Sequence, residues 1–156
     1  MRDEQGFGLI ELMIALSILS IGILALFGAF NAGAISLRRA GNVSTAAALA
    51  DKRMEGFRAL TFPSIGLLAP IPGTGVYAGD AAYSASQVTV ASCSGTAGQC
   101  APSQTVTGPD GHGYEIDVYV VNDAGGLKKV TVVVRDGARL TARPFVRETS
   151  SFGSTF

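Results

Sequence analysis

The sequence predicts an α+β fold, in which a long N-terminal helix packs its second half against a small antiparallel β-sheet. Three patterns support this prediction. Residues 12–37 contain no charged residue, residues 43–57 repeat small and apolar residues at helical spacing, and the C-terminal half alternates apolar and polar residues at strand spacing. At 156 residues, the chain has room for one domain and one membrane span.

The first pattern is an apolar run long enough to cross a membrane. As a helix, residues 12–37 would extend about 39 Å, which exceeds the roughly 30 Å of a hydrocarbon core. Glu11 stands at the entrance of this run, where burial of a carboxylate in lipid is costly, so it is predicted to have a partner or a role. A secretory signal cleaved after Ala34 is the competing interpretation, but such signals have apolar regions of only about 7–15 residues.

The helix is predicted to continue beyond the apolar run as an amphipathic segment, residues 38–62. Small and apolar residues recur there in steps of four and three, the spacing of one helix face: Val43, Ala47, Ala50, Met54 and Phe57. Pro63 ends the pattern and disfavours helical backbone at the residue before it.

Residues 63–156 are predicted to form a β-rich head. A loop rich in proline and glycine, residues 63–82, comes first. Alternation and turn signals then predict strands at 83–90, 114–121, 127–135 and 139–146. One face of the sheet is predicted to cover the helix and the other to meet water, with a frayed tail at 150–156.

The helix-facing side is predicted from the two central strands. Their inward residues are all apolar or aromatic: Tyr114, Ile116, Val118, Val120, Val130, Val132 and Val134. Pro144 in the last predicted strand favours an edge position, because proline cannot donate a ladder hydrogen bond.

The first residues of the chain carry a specific motif. A six-residue leader ends at Gly6, Phe7 follows, and Glu11 stands four residues later within the segment FGLIELMIA. This pattern resembles the N-terminus of type IV prepilins and of type II secretion pseudopilins, although Gly8 stands where that family usually has Thr or Ser. The resemblance implies cleavage between Gly6 and Phe7 by a prepilin peptidase, N-methylation of Phe7, and a role for Glu11 in assembly.

The resemblance also implies a function and a location. It implies a structural subunit of a type IV pilus or related filament, held by one span in the cytoplasmic membrane with its head outside, and later part of an extracellular filament. The implied partners are other pilin subunits, bound through the N-terminal helix, the prepilin peptidase, the inner-membrane assembly platform and, before assembly, membrane lipid. The leader is residues 1–6 and the membrane and assembly helix residues 7–37.

The C-terminal valine-rich hairpin, LKKVTVVVRDG, resembles the minor pilins of the PilV sort and favours a minor subunit. Two alternatives remain open. The first is a pseudopilin of a type II secretion system, which is a subunit of the same structural kind in a different assembly. A single-pass, membrane-anchored extracellular binding domain that never polymerises is the alternative from another class.

The two cysteines, Cys93 and Cys100, are predicted to form a disulfide, because an even pair in an exported chain is typical of a disulfide. Free thiols are the alternative. A metal site would need more ligands than these two thiols and the single His112.

Charge and motif content argue against an enzyme, a cofactor, a metal or DNA as a partner. The net charge is zero, and the chain has no nucleotide-binding loop or nucleophile motif. Four arginines near the C-terminus are interpreted as a solvated sheet face rather than a DNA-binding stripe: Arg135, Arg139, Arg143 and Arg147. Four acids lack the spacing of a calcium loop and are interpreted as surface groups: Asp110, Glu115, Asp117 and Asp123.

Overall fold

The computed structural model describes residues 8–96 and 98–154. Its helices are α1, Leu9–Arg58, and the short α2, Gly75–Ala78. Six strands lie within the described residues: β1 Leu67–Leu68, β2 Thr89–Val90, β3 Ser103–Thr107, β4 Gly113–Asn122, β5 Lys128–Asp136 and β6 Val146–Phe152. The chain divides into two compact units, residues 1–40 and 41–156, and α1 contributes to both. The predicted α+β class is confirmed.

The second part of α1 supplies one side of the core. Ala46, Ala50, Met54 and Phe57 are buried there at helical spacing. Three of these belong to the predicted face, but Val43 is 37% exposed because the buried face begins one turn further along, at Ala46. A short 3-10 turn, Phe62–Ser64, follows the helix, with proline near its start.

Strands β3 to β6 form one antiparallel sheet in sequential order. The register of β4 and β5 places buried partners opposite each other on the face that meets α1: Ile116 with Val134, Val118 with Val132, and Val120 with Val130. These six side chains join the buried residues of α1 in one cluster. The predicted inward face of the two central strands is therefore confirmed.

The predicted outer strands were partly wrong. Strand β3 was not predicted, because its sequence SQTVT has no apolar alternation, and it is held by pairing with β4. The predicted strand 83–90 is reduced to Thr89–Val90, which pairs in parallel with Leu67–Leu68. Strand β1 was not predicted either, because it is only two residues long.

The last strand lies further along the chain than predicted. Residues 139–145 turn instead, with the amides of Arg139 and Ala142 bonded to carbonyls three residues earlier. Strand β6 runs from Val146 to Phe152, so the described part of the predicted frayed tail is mostly paired with β5. Pro144 precedes the strand, where its missing donor costs nothing.

The centre of the second face of the sheet is covered, whereas the whole face was predicted to meet water. Tyr77 of α2 stacks on Tyr119 of β4 with ring centroids 4.5 Å apart. The Tyr77 hydroxyl donates to the Val118 carbonyl at 2.6 Å, and the Tyr119 hydroxyl donates to the Tyr77 carbonyl at 3.0 Å. Val133 is buried in the same cluster. The segment after α1 therefore contributes a second small core, which its proline and glycine content concealed.

Charged side chains line part of this covered face. Arg135, which was interpreted as solvated, is only 5% exposed and donates to Asp117 at 2.7 Å and also to Asp80. Both terminal nitrogens of Arg147 donate hydrogen bonds to the Asp80 carboxylate, one to each oxygen, at 2.8 Å. The interpretations of Arg135 and Asp117 as surface groups were wrong, because the two carboxylates and Arg135 satisfy one another away from water.

The acids of this network have shifted pKa values. Burial acts to raise the pKa of Asp80, but hydrogen bonds from Arg147, the Ala82 amide and Arg135 hold it below its ordinary value. Burial raises the pKa of Asp117, and the bond from Ser103 and the charge of Arg135 only partly oppose this. The neighbours of Asp80 therefore favour its ionised form, whereas the burial of Asp117 disfavours its ionised form.

Candidate functional site

The N-terminal part of α1 is the candidate functional site. Gly6 and Phe7 lie outside the described residues, so their predicted roles stay predictions. The Gly8 carbonyl accepts hydrogen bonds from the amides of Glu11 at 3.0 Å and Leu12 at 3.2 Å, which places the start of the helix here. Glu11 lies in the first turn, where a negative charge suits the positive end of the helix dipole.

Among residues 8–40, this part of the helix has no packing partner. Every residue from 8 to 41 is exposed, including large apolar side chains such as Ile10, Phe27 and Phe30. The helix is long and apolar enough to cross a membrane, with a mean hydropathy of 2.5 over its most apolar window. Such a contiguous apolar surface indicates contact with lipid or with other apolar helices.

The polar groups of this segment are satisfied locally. The hydroxyls of Ser17, Ser20 and Ser36 donate to the carbonyls four residues earlier, at 2.8, 2.7 and 3.0 Å. These bonds let serine enter an apolar medium without an unsatisfied donor. Glu11 is the only ionisable residue between positions 8 and 37, and none of the ion pairs among the described residues involves it.

Three glycines of the apolar segment lie in open space. A side chain at Gly22, Gly28 or Gly33 would meet no described atom within 4 Å. Packing within the described chain therefore does not require glycine at these positions. Small residues let neighbouring apolar helices approach closely, which is consistent with a surface that other helices contact.

The predicted disulfide between Cys93 and Cys100 is present. Cys100 is buried, and its carbonyl accepts a hydrogen bond from the Leu68 amide at 2.8 Å, which ties the loop to β1. Closing so short a loop contributes on the order of 2–3 kcal/mol in the chain-entropy model. The bond fits a protein that folds in an oxidising compartment.

The described residues contain no cluster of three or more His, Cys, Asp or Glu side chains able to hold a metal ion. The buried network of Asp80, Asp117, Arg135 and Arg147 is the main group that sequence reasoning missed. The sequence did contain one indication of this network. Asp117 and Arg135, which carry opposite charges, each interrupt a run of β-branched and aromatic residues. Asp80 gave no signal, because it belongs to a loop.

Comparison with protein families links the N-terminal segment to a known signal. Residues 1–27 match the model described as the prokaryotic N-terminal methylation motif, and this stretch contains Gly6, Phe7 and Glu11. Neither the comparison with curated proteins nor that with solved structures found a match. The match is limited to the N-terminal segment and says nothing about residues 28–156.

The motif and the helix together show what the N-terminal region resembles. Proteins with this motif are structural rather than enzymatic, and the motif implies processing by a prepilin peptidase and assembly with other pilin subunits. The apolar helix beside it fits membrane anchoring. The N-terminal region is thus similar to that of a type IV pilin-like or pseudopilin precursor.

Proposed function

We propose that the mature protein begins at Phe7 and is a structural subunit, specifically a minor pilin, of a type IV pilus or related filament. The observation that carries this proposal is an unbroken, exposed apolar helix with a single acid at position 11, within and beyond the matched motif. Residues 1–6 are the leader, 7–37 the membrane and assembly helix, 38–62 its amphipathic continuation, and 63–156 the extracytoplasmic head.

Glu11 acts on an amine that cleavage creates. Removal of residues 1–6 leaves an α-amino group on Phe7, whose ordinary pKa is near 7.7–8.0, and N-methylation keeps it able to carry a positive charge. Glu11 lies about one helical turn away and pairs with the amine of its own chain or of a neighbour. Two charges about 4 Å apart interact by roughly 4 kcal/mol at an effective dielectric near 20, similar to the cost of burying them. The pair therefore sets the axial position of one subunit against the next.

The apolar surface alone does not drive assembly. Lipid tails are as apolar as leucine, so moving residues 12–37 from bilayer to filament gains little hydrophobic free energy. The inner-membrane assembly platform therefore supplies the work, and contacts such as the Glu11 pair supply the specificity. The small residues Gly22, Gly28 and Gly33 allow close helix packing in the filament.

Two other functions fit parts of the molecule. The valine-rich β5 favours a minor pilin of the PilV sort, but the same helix and head suit a pseudopilin of a type II secretion system. A single-pass anchored binding domain would share the helix and lack the need for Glu11. Filament incorporation separates this last candidate from the first two.

Substitution of the two key positions tests the proposal. Gly6→Val should block cleavage and leave a membrane-bound precursor, because the peptidase must accommodate a small residue before the scissile bond. Glu11→Val should leave cleavage intact and reduce recovery of the protein in sheared filaments, with partial loss accepted if neighbouring subunits compensate. Glu55→Val, which removes an exposed acid from the same helix, is the matched control.

Mass spectrometry of the N-terminus and filament recovery give the outcomes. A mature N-terminus at Phe7 with loss of assembly only in Glu11→Val supports the proposal. A wild-type N-terminus at Ile35, or at Met1 in cells with an active prepilin peptidase, would end it. A processed protein that is never recovered with filaments would favour the anchored binding domain.

A further inference from the structure

A cavity of about 560 Å³ opens beside the second part of α1, within the unit formed by residues 41–156. Its size lies in the range of small-ligand sites. Apolar side chains from α1, β3 and β4 form part of its wall, and polar side chains form the rest. Its principal lining residues are Leu49, Arg53, Gln99, Gln104, Val106 and Ile116.

Arg53 is a buried cation with no anionic partner among the described residues. Arg53 is 8% exposed. Its Nη2 donates to the Ala101 carbonyl at 2.9 Å, and its Nη1 donates to Gln104 Oε1 at 3.3 Å. Its Nε is buried and has no hydrogen-bond partner in the described residues. Burial lowers the pKa of Arg53 to about 10. A buried guanidinium normally pairs with a carboxylate, so this one lacks the group that usually offsets its desolvation.

The acids nearest along α1 are engaged elsewhere. Glu55 forms an ion pair with Arg58, which also lies 4.0 Å from Glu148. Burial raises the pKa of Glu148, and the charge of Asp51 raises it further. The ion pairs among the described residues include none to Arg53.

The polar wall is held in place by close packing. Gln99 Nε2 donates to the Arg53 carbonyl at 3.1 Å. Gly56 permits this position, since a Cβ there would lie 2.1 Å from Gln99 Oε1. The disulfide between Cys93 and Cys100 closes the loop that carries Gln99. The cavity is therefore built by tertiary contacts rather than left by a loose loop.

We propose that this cavity binds a carboxylate carried on a short apolar stem, with Arg53 as the anion-binding residue. Arg53 lines the cavity, and its Nη1 makes only a 3.3 Å bond to Gln104 Oε1, so a carboxylate that enters the cavity can pair with the guanidinium there. Leu49, Val106 and Ile116 provide an apolar wall for the stem. A dianionic phosphate suits the cavity less well, because Lys52, the one other cation among the described lining residues, is exposed.

The carboxylate has two sources with the same chemistry, a small free acid or the acidic side chain of another protein. The test uses the full chain in detergent micelles and follows the side-chain Nε–H signal of Arg53 by NMR. Butyrate and its neutral isostere butyramide are the first pair of probes. N-acetylglutamate amide and N-acetylglutamine amide are the second pair, and they present the acid as a protein would.

Saturable shifts with each acid, and binding of each neutral isostere at least about tenfold weaker, are expected. Tighter binding of the glutamate probe than of butyrate identifies a protein side chain as the natural source of the carboxylate. Tighter binding of butyrate identifies a free acid. Equal binding of acid and isostere, or no saturable shift up to about 100 mM, overturns the proposal.

Variants separate binding from folding. Arg53→Lys keeps a charge but loses the planar guanidinium, and should weaken butyrate binding about tenfold or more, followed through amide signals of the cavity wall. Leu49→Phe fills the cavity, leaves Arg53 in place and should also weaken binding. Arg139→Gln, which removes an exposed cation that does not line the cavity, should change binding by less than about threefold. Unchanged binding in both folded Arg53→Lys and folded Leu49→Phe would contradict the assignment. The proposal does not depend on processing or filament assembly.

Discussion

The two parts of α1 differ in where their interaction partners are found. From residue 8 to 41 every side chain is exposed, and the serine hydroxyls bond within the helix. From Ala46 to Phe57 one face is buried against the sheet of the same chain. Helix formation therefore does not require tertiary packing. The first part completes its hydrogen bonds within the helix, whereas the second part also buries one face against the sheet.

The largest expected effect compares two phenylalanines of the same helix. Phe57→Ala should lower the free energy of unfolding by about 3–5 kcal/mol, because Phe57 is 0% exposed and its removal leaves a cavity. Phe30→Ala should leave it nearly unchanged, since Phe30 is 76% exposed. Urea unfolding of the full chain in micelles, followed by tyrosine fluorescence, reports on the head, where all four tyrosines lie. Equal losses in the two variants would contradict the division between the two parts.

An intermediate loss of stability is expected for one of two arginines that were both interpreted as solvated. Arg135→Met should cost about 3 kcal/mol, because it leaves Asp117 without its buried cation and removes one of the two cations that bind Asp80. Arg139→Met should change stability by less than about 0.5 kcal/mol, because Arg139 is exposed. The same unfolding experiment measures both. A cost at Arg139 equal to that at Arg135 would show that the network does not hold the covered face together.

The smallest effect is a pH dependence of the head. The pKa of Asp80 is below its ordinary 3.8, so its ionised form stabilises the folded state above that pH, and this contribution is lost as pH falls through the folded-state pKa. Arg135 and Arg147 pair with Asp80, while Asp117, with a raised pKa, contributes in the opposite direction. Asp80→Asn should therefore reduce the loss of stability below about pH 4 relative to wild type. An equal loss in both proteins would assign the acid sensitivity to other groups.

Sequence reasoning succeeded where a short-range pattern has one physical solution. The run of residues 12–37 permits only an apolar helix, and alternation in β4 and β5 places Val118 and Val132 inward whatever their partners are. The inward half of the sheet was therefore predictable. The strand at 139–146 was wrong because a β-like composition does not reveal that turns follow Asp136 and delay pairing until Val146.

What the sequence by itself determined is the N-terminal signal and the two periodicities, because these depend on neighbours within a few residues. Tertiary structure alone decided what covers the second face of the sheet and which charges are buried there. Asp80 and Arg135 are 55 residues apart, and Arg53 and Gln104 are 51 apart, yet each pair is in contact. Whether a charged side chain is solvated, paired or left facing a cavity is set by such long-range packing, which no local pattern records.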